Sequence, residues 1–195
     1  MSFDEPTYRE YANSFWNELN STFGQNKGGF GYLPIVFAEP PAVKGMKYIQ
    51  GVTSIHMHEK KQVFSCFPVV FIRPENTDAQ LRQTIRHEII HYFLALHYYN
   101  HKDNSALFAL MCSLFDGGAY ETLTEKGQNI YDVAKSYLEQ AYAMYICSKS
   151  DRLSLQLSLM LMEIDEVEHN QEGDVKSLNS SLSLILKVCK SNVPH

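Results

Sequence analysis

The chain has 195 residues, of which 45% are hydrophobic and 20% charged, and its formal net charge is −5. Without internal repeats or low-complexity linkers, this composition predicts one compact domain of moderate core size with a helical extension. Dispersed basic residues argue against nucleic-acid binding. The lack of a secretory signal and of a membrane-spanning apolar run predicts a cytoplasmic protein, in which the four scattered cysteines should be reduced thiols.

The first 72 residues contain a helical pattern followed by β-rich runs. Aromatic and leucine residues recur at helical spacing, namely Tyr8, Tyr11, Phe15, Trp16, Leu19 and Phe23. Glycines at 28, 29 and 31 predict a flexible turn after this helix. Residues 34–38, 47–55 and 63–72 are short β-rich runs divided by turn residues.

His56 and His58 follow the second β-rich run. On a strand, alternate side chains share a face, so the two histidines could hold a metal ion together. An exposed strand end is the simpler interpretation, and we favour it.

A long helix is predicted from about residue 77 to residue 98. Asn76 and Thr77 are suitable N-caps, and Asp78 lies in the expected first turn. Apolar residues then repeat at helical spacing at Leu81, Ile85, Ile89, Tyr92 and Leu96.

This predicted helix carries the pattern H-E-x-x-H, which makes the most definite chemical prediction in the chain. His87 and His91 lie one helical turn apart, so both imidazoles can bind one divalent ion, and Glu88 can reach water at that ion. The sequence therefore predicts a Zn²⁺ site with Glu88 as general base. The alternative is two histidines four residues apart by chance, with Glu88 solvated or paired to Arg86.

A catalytic zinc site needs a third protein ligand, and the polar turn after the helix offers two candidates, His101 and Asp103. The alternative roles are an exposed loop histidine for His101 and a helix N-cap for Asp103. His97 is not expected to be a ligand, because Leu94 replaces the glycine that would turn the chain. Glu121 ranks behind both candidates because it is far along the sequence from His91.

The C-terminal third is predicted to be helical. Apolar stripes indicate helices at about 127–148 and over the last stripe from Leu178 to Cys189. The leucines from 153 to 161 alternate as in a strand, but the length of the segment and its Met/Glu-rich continuation favour a helix. The acidic stretch 163–174 is interpreted as a solvated turn.

Residues 84–111 resemble the core of the SprT-like metallopeptidases. In that family, H-E-x-x-H is followed by a third histidine just ahead of a helix with an aromatic residue and then Leu-Met, which is similar to Phe108 and Leu110-Met111 here. The resemblance implies an α+β fold: a zincin-like, minigluzincin-like core over residues 1–120, with an N-terminal helix, a small β-sheet and the metal helix. Residues 121–195 would then be a helical extension that packs on the core or on a partner.

Together these observations predict a zinc-dependent metallopeptidase that acts on a peptide or protein substrate. The rival hypothesis is a noncatalytic metal-binding or protein-interaction protein, which uses its C-terminal helices as a partner surface. Those helices could also join two copies of the chain into a homo-oligomer.

Overall fold

The computed structural model describes residues 4–23, 33–38, 51–54, 57–60, 63–66, 69–72, 77–170 and 174–191, and for 51–71 it describes only the backbone. The glycine turn expected at 28–31 and the histidine at position 56 lie outside the described residues, as does the side chain of His58.

Helices dominate the described part of the chain. They are α1 (Glu5–Thr22), α2 (Asp78–Leu96), α3 (Ala106–Phe115), α4 (Glu125–Ser148), α5 (Asp151–His169) and α6 (Val175–Ser191). Together they hold 77% of the residues whose side chains are described.

Five strands of three or four residues account for the described extended backbone. They are β1 (Ile35–Phe37), β2 (Gly51–Ser54), β3 (Met57–Lys60), β4 (Val63–Cys66) and β5 (Val69–Ile72). β5 pairs parallel with β1 and antiparallel with β2, while β3 and β4 pair with each other.

The expected α+β fold class, a zincin-like core built on a small β-sheet, is wrong: the protein is mostly helical. The physical reason is that long amphipathic helices bury their apolar stripes against one another, and the described core side chains lie almost entirely on them. The similarity over residues 84–111 covers only parts of α2 and α3 and the loop between them. It therefore does not determine the structure around these elements.

α1 and α2 form one packed pair. Pro6 lies in the first turn of α1, where its missing N–H leaves no helical bond unmade. The indole ring of Trp16 lies 5.0 Å from the ring of Tyr92 and 6.2 Å from that of Phe93, measured between centroids. This packing holds one side of α2 inside the protein.

The start of α2 is capped as its sequence predicts. The Thr77 hydroxyl accepts a hydrogen bond from the backbone N–H of Gln80, and the Gln80 side chain reaches back to the backbone of Thr77. The helix ends at Leu96, and His97 is its C-cap. The predicted helix over about 77–98 is confirmed.

α4, α5 and α6 pack against one another, and α4 and α5 also contact α3. Leu153, Leu157 and Leu161 of α5 are buried, whereas Leu155 and Leu159 are exposed, as expected for a helix and not for a strand. One cluster of buried residues runs from α1 to α6. Among the described helices, none is both long and apolar enough to cross a membrane.

Candidate metal centre

His87 and His91 lie on neighbouring turns of α2 with their rings directed to one point. Their Nε2 atoms are 3.3 Å apart, and the ring centroids are 4.8 Å apart at an interplanar angle of 80°. Both side chains are largely buried, with 21% and 12% exposed. Two nitrogen donors therefore face a small shared space.

Backbone carbonyls hold the other nitrogen of each ring. Nδ1 of His87 lies 3.0 Å from the carbonyl oxygen of Gly117, and Nδ1 of His91 lies 2.5 Å from that of His101. A carbonyl can only accept, so each Nδ1–H donates and each Nε2 keeps its lone pair in the neutral ring. This arrangement fixes the tautomer that a metal ion requires.

Asp103 brings a carboxylate to the same space. Its Oδ1 atom lies 3.2 Å from Nε2 of His87 and 3.3 Å from Nε2 of His91. Donors in tetrahedral zinc sites lie about 2.0–2.1 Å from the ion and thus roughly 3.3–3.4 Å from each other. The three donor atoms form a triangle of nearly that size, so they match one face of a zinc coordination tetrahedron.

The other residues considered as ligands lie differently. The imidazole of His101 turns away, with Nδ1 3.2 Å from the carbonyl oxygen of Tyr99, so this residue supplies its backbone carbonyl to His91 instead. Glu121 donates its backbone N–H to the carbonyl of Asp103. Among the described residues, the group that could hold a metal is His87, His91 and Asp103.

Phe108 of α3 forms the floor beneath the two imidazoles. Its ring stacks on that of His91 at 3.9 Å and 11°, and it meets the ring of His87 edge-on at 5.0 Å. Phe108 is fully buried. In the sequence, Phe108 stands out only through its similarity to the aromatic residue that follows H-E-x-x-H in the SprT-like metallopeptidases.

The turn after α3 supplies the carbonyl of Gly117. Asp116 ends α3 with φ 52°, and the N–H of Gly117 donates to the carbonyl of Cys112. Arg86 braces this turn by donating to the carbonyl of Phe115 at 3.2 Å and to Oδ2 of Asp116 at 2.8 Å. Arg86 is therefore a support of the site that the sequence did not reveal.

Glu88 is buried, with 5% of its surface exposed, and it lines a cleft of about 280 Å³ beside His87. Gln83, Thr84 and residues 117–119 form the remaining walls. Because glycine and alanine occupy one wall, the cleft stays open next to Glu88 and His87.

The charges of the site favour a cation. Burial alone would lower the pKa of His87, but its hydrogen bond to Asp103 and the negative charges of Glu88 and Asp103 outweigh that effect and raise the pKa. Hydrogen bonds from His87 and His91 hold the pKa of Asp103 well below its usual range. Asp103 is therefore an anion near neutral pH, as a metal ligand must be.

Comparison with known proteins finds no match to this chain among family models, curated proteins or solved structures.

Proposed function

We propose that this chain is a zinc-dependent peptidase in which His87, His91 and Asp103 hold the metal ion and Glu88 is the general base. The observation that carries the proposal is the triangle of Nε2, Nε2 and Oδ1 atoms with sides of 3.2–3.3 Å. Three protein donors, with a fourth position left for solvent, are typical of catalytic zinc sites, whereas structural sites use four protein ligands.

The metal ion, Glu88 and the cleft beside it then have separate roles. Zinc, when bound, supplies Lewis-acid polarisation of a carbonyl group and makes water more acidic. Glu88 takes the proton of the attacking water and later delivers it to the leaving amine. The cleft beside Glu88 and His87 receives the part of the substrate that adjoins the scissile bond. The buried position of Glu88 keeps its carboxylate out of bulk water.

A Glu88→Gln variant tests this proposal. Glutamine keeps the size of the side chain but cannot accept a proton, so hydrolysis of a fluorogenic peptide library should fall by roughly 10²- to 10⁴-fold while zinc content is retained. Glu121→Gln, a change to an exposed acid whose backbone also adjoins Asp103, is the matched control and should keep parental activity. Equal cleavage by parent and Glu88→Gln would refute the assignment of the base.

A noncatalytic metal-binding protein that associates with a partner or a second copy is the second candidate. Large apolar side chains are exposed on the C-terminal helices, with Leu155 57%, Met162 52% and Leu184 64% exposed. In that case metal would bind and no peptide would be cleaved, and Leu155→Lys would weaken self-association measured by sedimentation.

We also propose a cytoplasmic location. The described cysteines Cys112, Cys147 and Cys189 are all free thiols, and two of them are buried. Reduced cysteines are the rule in a reducing compartment. A thiol titration of the denatured, freshly isolated protein should find all cysteines reduced.

A further inference from the structure

The loop of residues 97–105, which joins α2 to α3, brings two groups to the candidate metal centre. One is the carboxylate of Asp103, and the other is the backbone carbonyl of His101 that orients His91. The position of this loop therefore sets the distance between donors on the loop and donors on α2. On either side of these two groups, the chain is held by side chains of α5, which is far away in sequence.

The loop is fixed near its start by Asp165 of α5. The backbone N–H of Asn100 donates to Oδ1 of Asp165 at 2.8 Å. Only 16% of the Asp165 side chain is exposed, so water competes little for this charge-assisted hydrogen bond. The contact lies one residue before His101.

The loop is fixed at its end by Glu168, one turn farther along α5. Oε1 accepts from the N–H of Ala106 at 2.5 Å, and Oε2 lies 3.5 Å from the N–H of Leu107. Glu168 thus satisfies N–H groups in the first turn of α3, where a negative charge is favourable. Burial raises the pKa of Glu168, although the two backbone N–H groups oppose that shift.

The end of α5 is itself held in place. The ammonium group of Lys126 in α4 donates to the backbone carbonyls of Glu168 and Asn170. The two carboxylates are therefore presented from a fixed helix end and are not on a freely solvated turn. The interpretation of this acidic stretch as a solvated surface is wrong for Asp165 and Glu168.

We infer that Asp165 and Glu168 are positioning residues of the metal centre: from α5 they hold the chain on either side of the segment that carries the His101 carbonyl and Asp103. This inference rests on the proposed function, because the loop positions ligands only if a metal ion binds. On this inference, the C-terminal helix α5 contributes to the geometry of the metal centre.

Co²⁺ titration of the full-length protein tests the inference, because the visible absorption of Co²⁺ reports the number and arrangement of its ligands. Glu168→Ala should weaken Co²⁺ binding and change the absorption spectrum, with a loss of affinity up to the roughly 10-fold lower limit seen when a direct hydrogen-bond partner of a metal ligand is removed. Glu168→Gln keeps an acceptor oxygen and should lie closer to the parent. Glu166→Ala removes an exposed acid of the same helix and should match the parent.

A merely structural role would lower the unfolding temperature of Glu168→Ala without altering the Co²⁺ spectrum of the folded protein. Parental affinity and spectrum in both Glu168→Ala and Asp165→Ala would overturn the inference. If Glu168→Ala does not fold, the comparison of Asp165→Ala with the parent decides in the same way, because alanine removes the oxygen that accepts from the N–H of Asn100.

Failure of the proposed function is recognisable separately. If the parent binds no Co²⁺, the metal centre is refuted, and the hold of α5 on the loop is then read from the ring tautomer of His91 in the metal-free protein by ¹⁵N NMR. Loss of the Nδ1–H form in Glu168→Ala or Asp165→Ala, but not in Glu166→Ala, supports a positioning role for α5. An unchanged tautomer overturns it.

Discussion

The backbone carbonyl oxygen of His101 lies 2.5 Å from Nδ1 of His91, so His101 contributes to the site through its main chain while its imidazole points elsewhere. The neighbouring Asp103 instead directs its side chain between the two histidines of α2. The same loop thus contributes in two ways: the side chain of Asp103 is a candidate metal ligand, and the main chain of His101 orients His91.

Asp103→Ala should nearly abolish metal binding, whereas His101→Ala should leave it close to the parental value. The first change removes one of three donors, so the loss should exceed the roughly 10- to 100-fold that removal of an outer partner causes. The second keeps the carbonyl that holds His91. Isothermal titration with Zn²⁺ measures both, and the reverse order of affinities would show that His101 is the ligand.

Gly117→Ala should weaken metal binding because there is no room for the added methyl group. A Cβ atom at this position would lie 2.9 Å from Cδ1 of Ile90 and 3.2 Å from Cα of Cys112, so the turn that offers its carbonyl to His87 must shift. Ile90→Val removes the Cδ1 atom, and the double variant should recover part of the affinity. The Kd for Zn²⁺ of the two single variants and the double variant checks this, and unchanged affinity in Gly117→Ala would count against the role of the carbonyl.

Arg86→Gln should destabilise the protein more than Arg82→Gln. Arg86 is partly buried and braces the turn at Phe115 and Asp116, so its loss should lower the free energy of unfolding by about 1–2 kcal/mol. Arg82 pairs with Asp78 on the same helix near solvent, where water and salt screen the charges and such pairs contribute little to stability. Urea unfolding measures the free energy of unfolding of both variants. Equal losses would show that the contacts of Arg86 with Phe115 and Asp116 do not stabilise the turn.

The metal-free protein should lose stability as the pH rises through the pKa of His87. This pKa is raised in the folded state, so the contribution of the protonated ring is complete below about pH 6.5, the ordinary histidine value, and disappears above the folded value. Asp103 has a lowered pKa, so its contribution is present above about pH 4 and is lost as the pH falls through the folded value.

The pair should therefore stabilise the metal-free protein most between about pH 4 and pH 6.5. With Zn²⁺ present, the trend above pH 6 should reverse, because protons compete with the metal for His87. Thermal unfolding in chelator and in excess Zn²⁺, with Asp103→Asn as the reference, measures both trends. A chelated parent whose pH profile is the same as that of Asp103→Asn would contradict the coupling between the two side chains.

Local patterns in the sequence predicted most of the helices. The Thr77 cap and the apolar repeat placed α2 within two residues of its observed ends, and the stripes of the C-terminal third became α4, α5 and α6. These features depend on neighbours within one or two helical turns, which is why sequence periodicity reveals them. The same locality explains why His87 and His91 could be paired without a structure.

The sequence could not choose between His101 and Asp103. The orientation of that loop depends on Asp165 and Glu168, which contact it from 65 and 62 residues away along the chain. The support from Arg86 to Asp116 likewise spans 30 residues. Neither apolar periodicity nor a helix-cap motif indicates such contacts. The predicted fold class was wrong for a related reason: the resemblance was confined to α2 and the residues that follow it.

By itself, then, the sequence determined that His87, Glu88 and His91 share one capped helix, because helical spacing and end signals are written in adjacent residues. Tertiary packing decided that Asp103 faces the histidine pair, that the carbonyls of Gly117 and His101 orient the two rings, and that helices dominate the protein. Those outcomes depend on which distant surfaces bury one another and satisfy each other's hydrogen bonds, and that is a property of the folded chain as a whole.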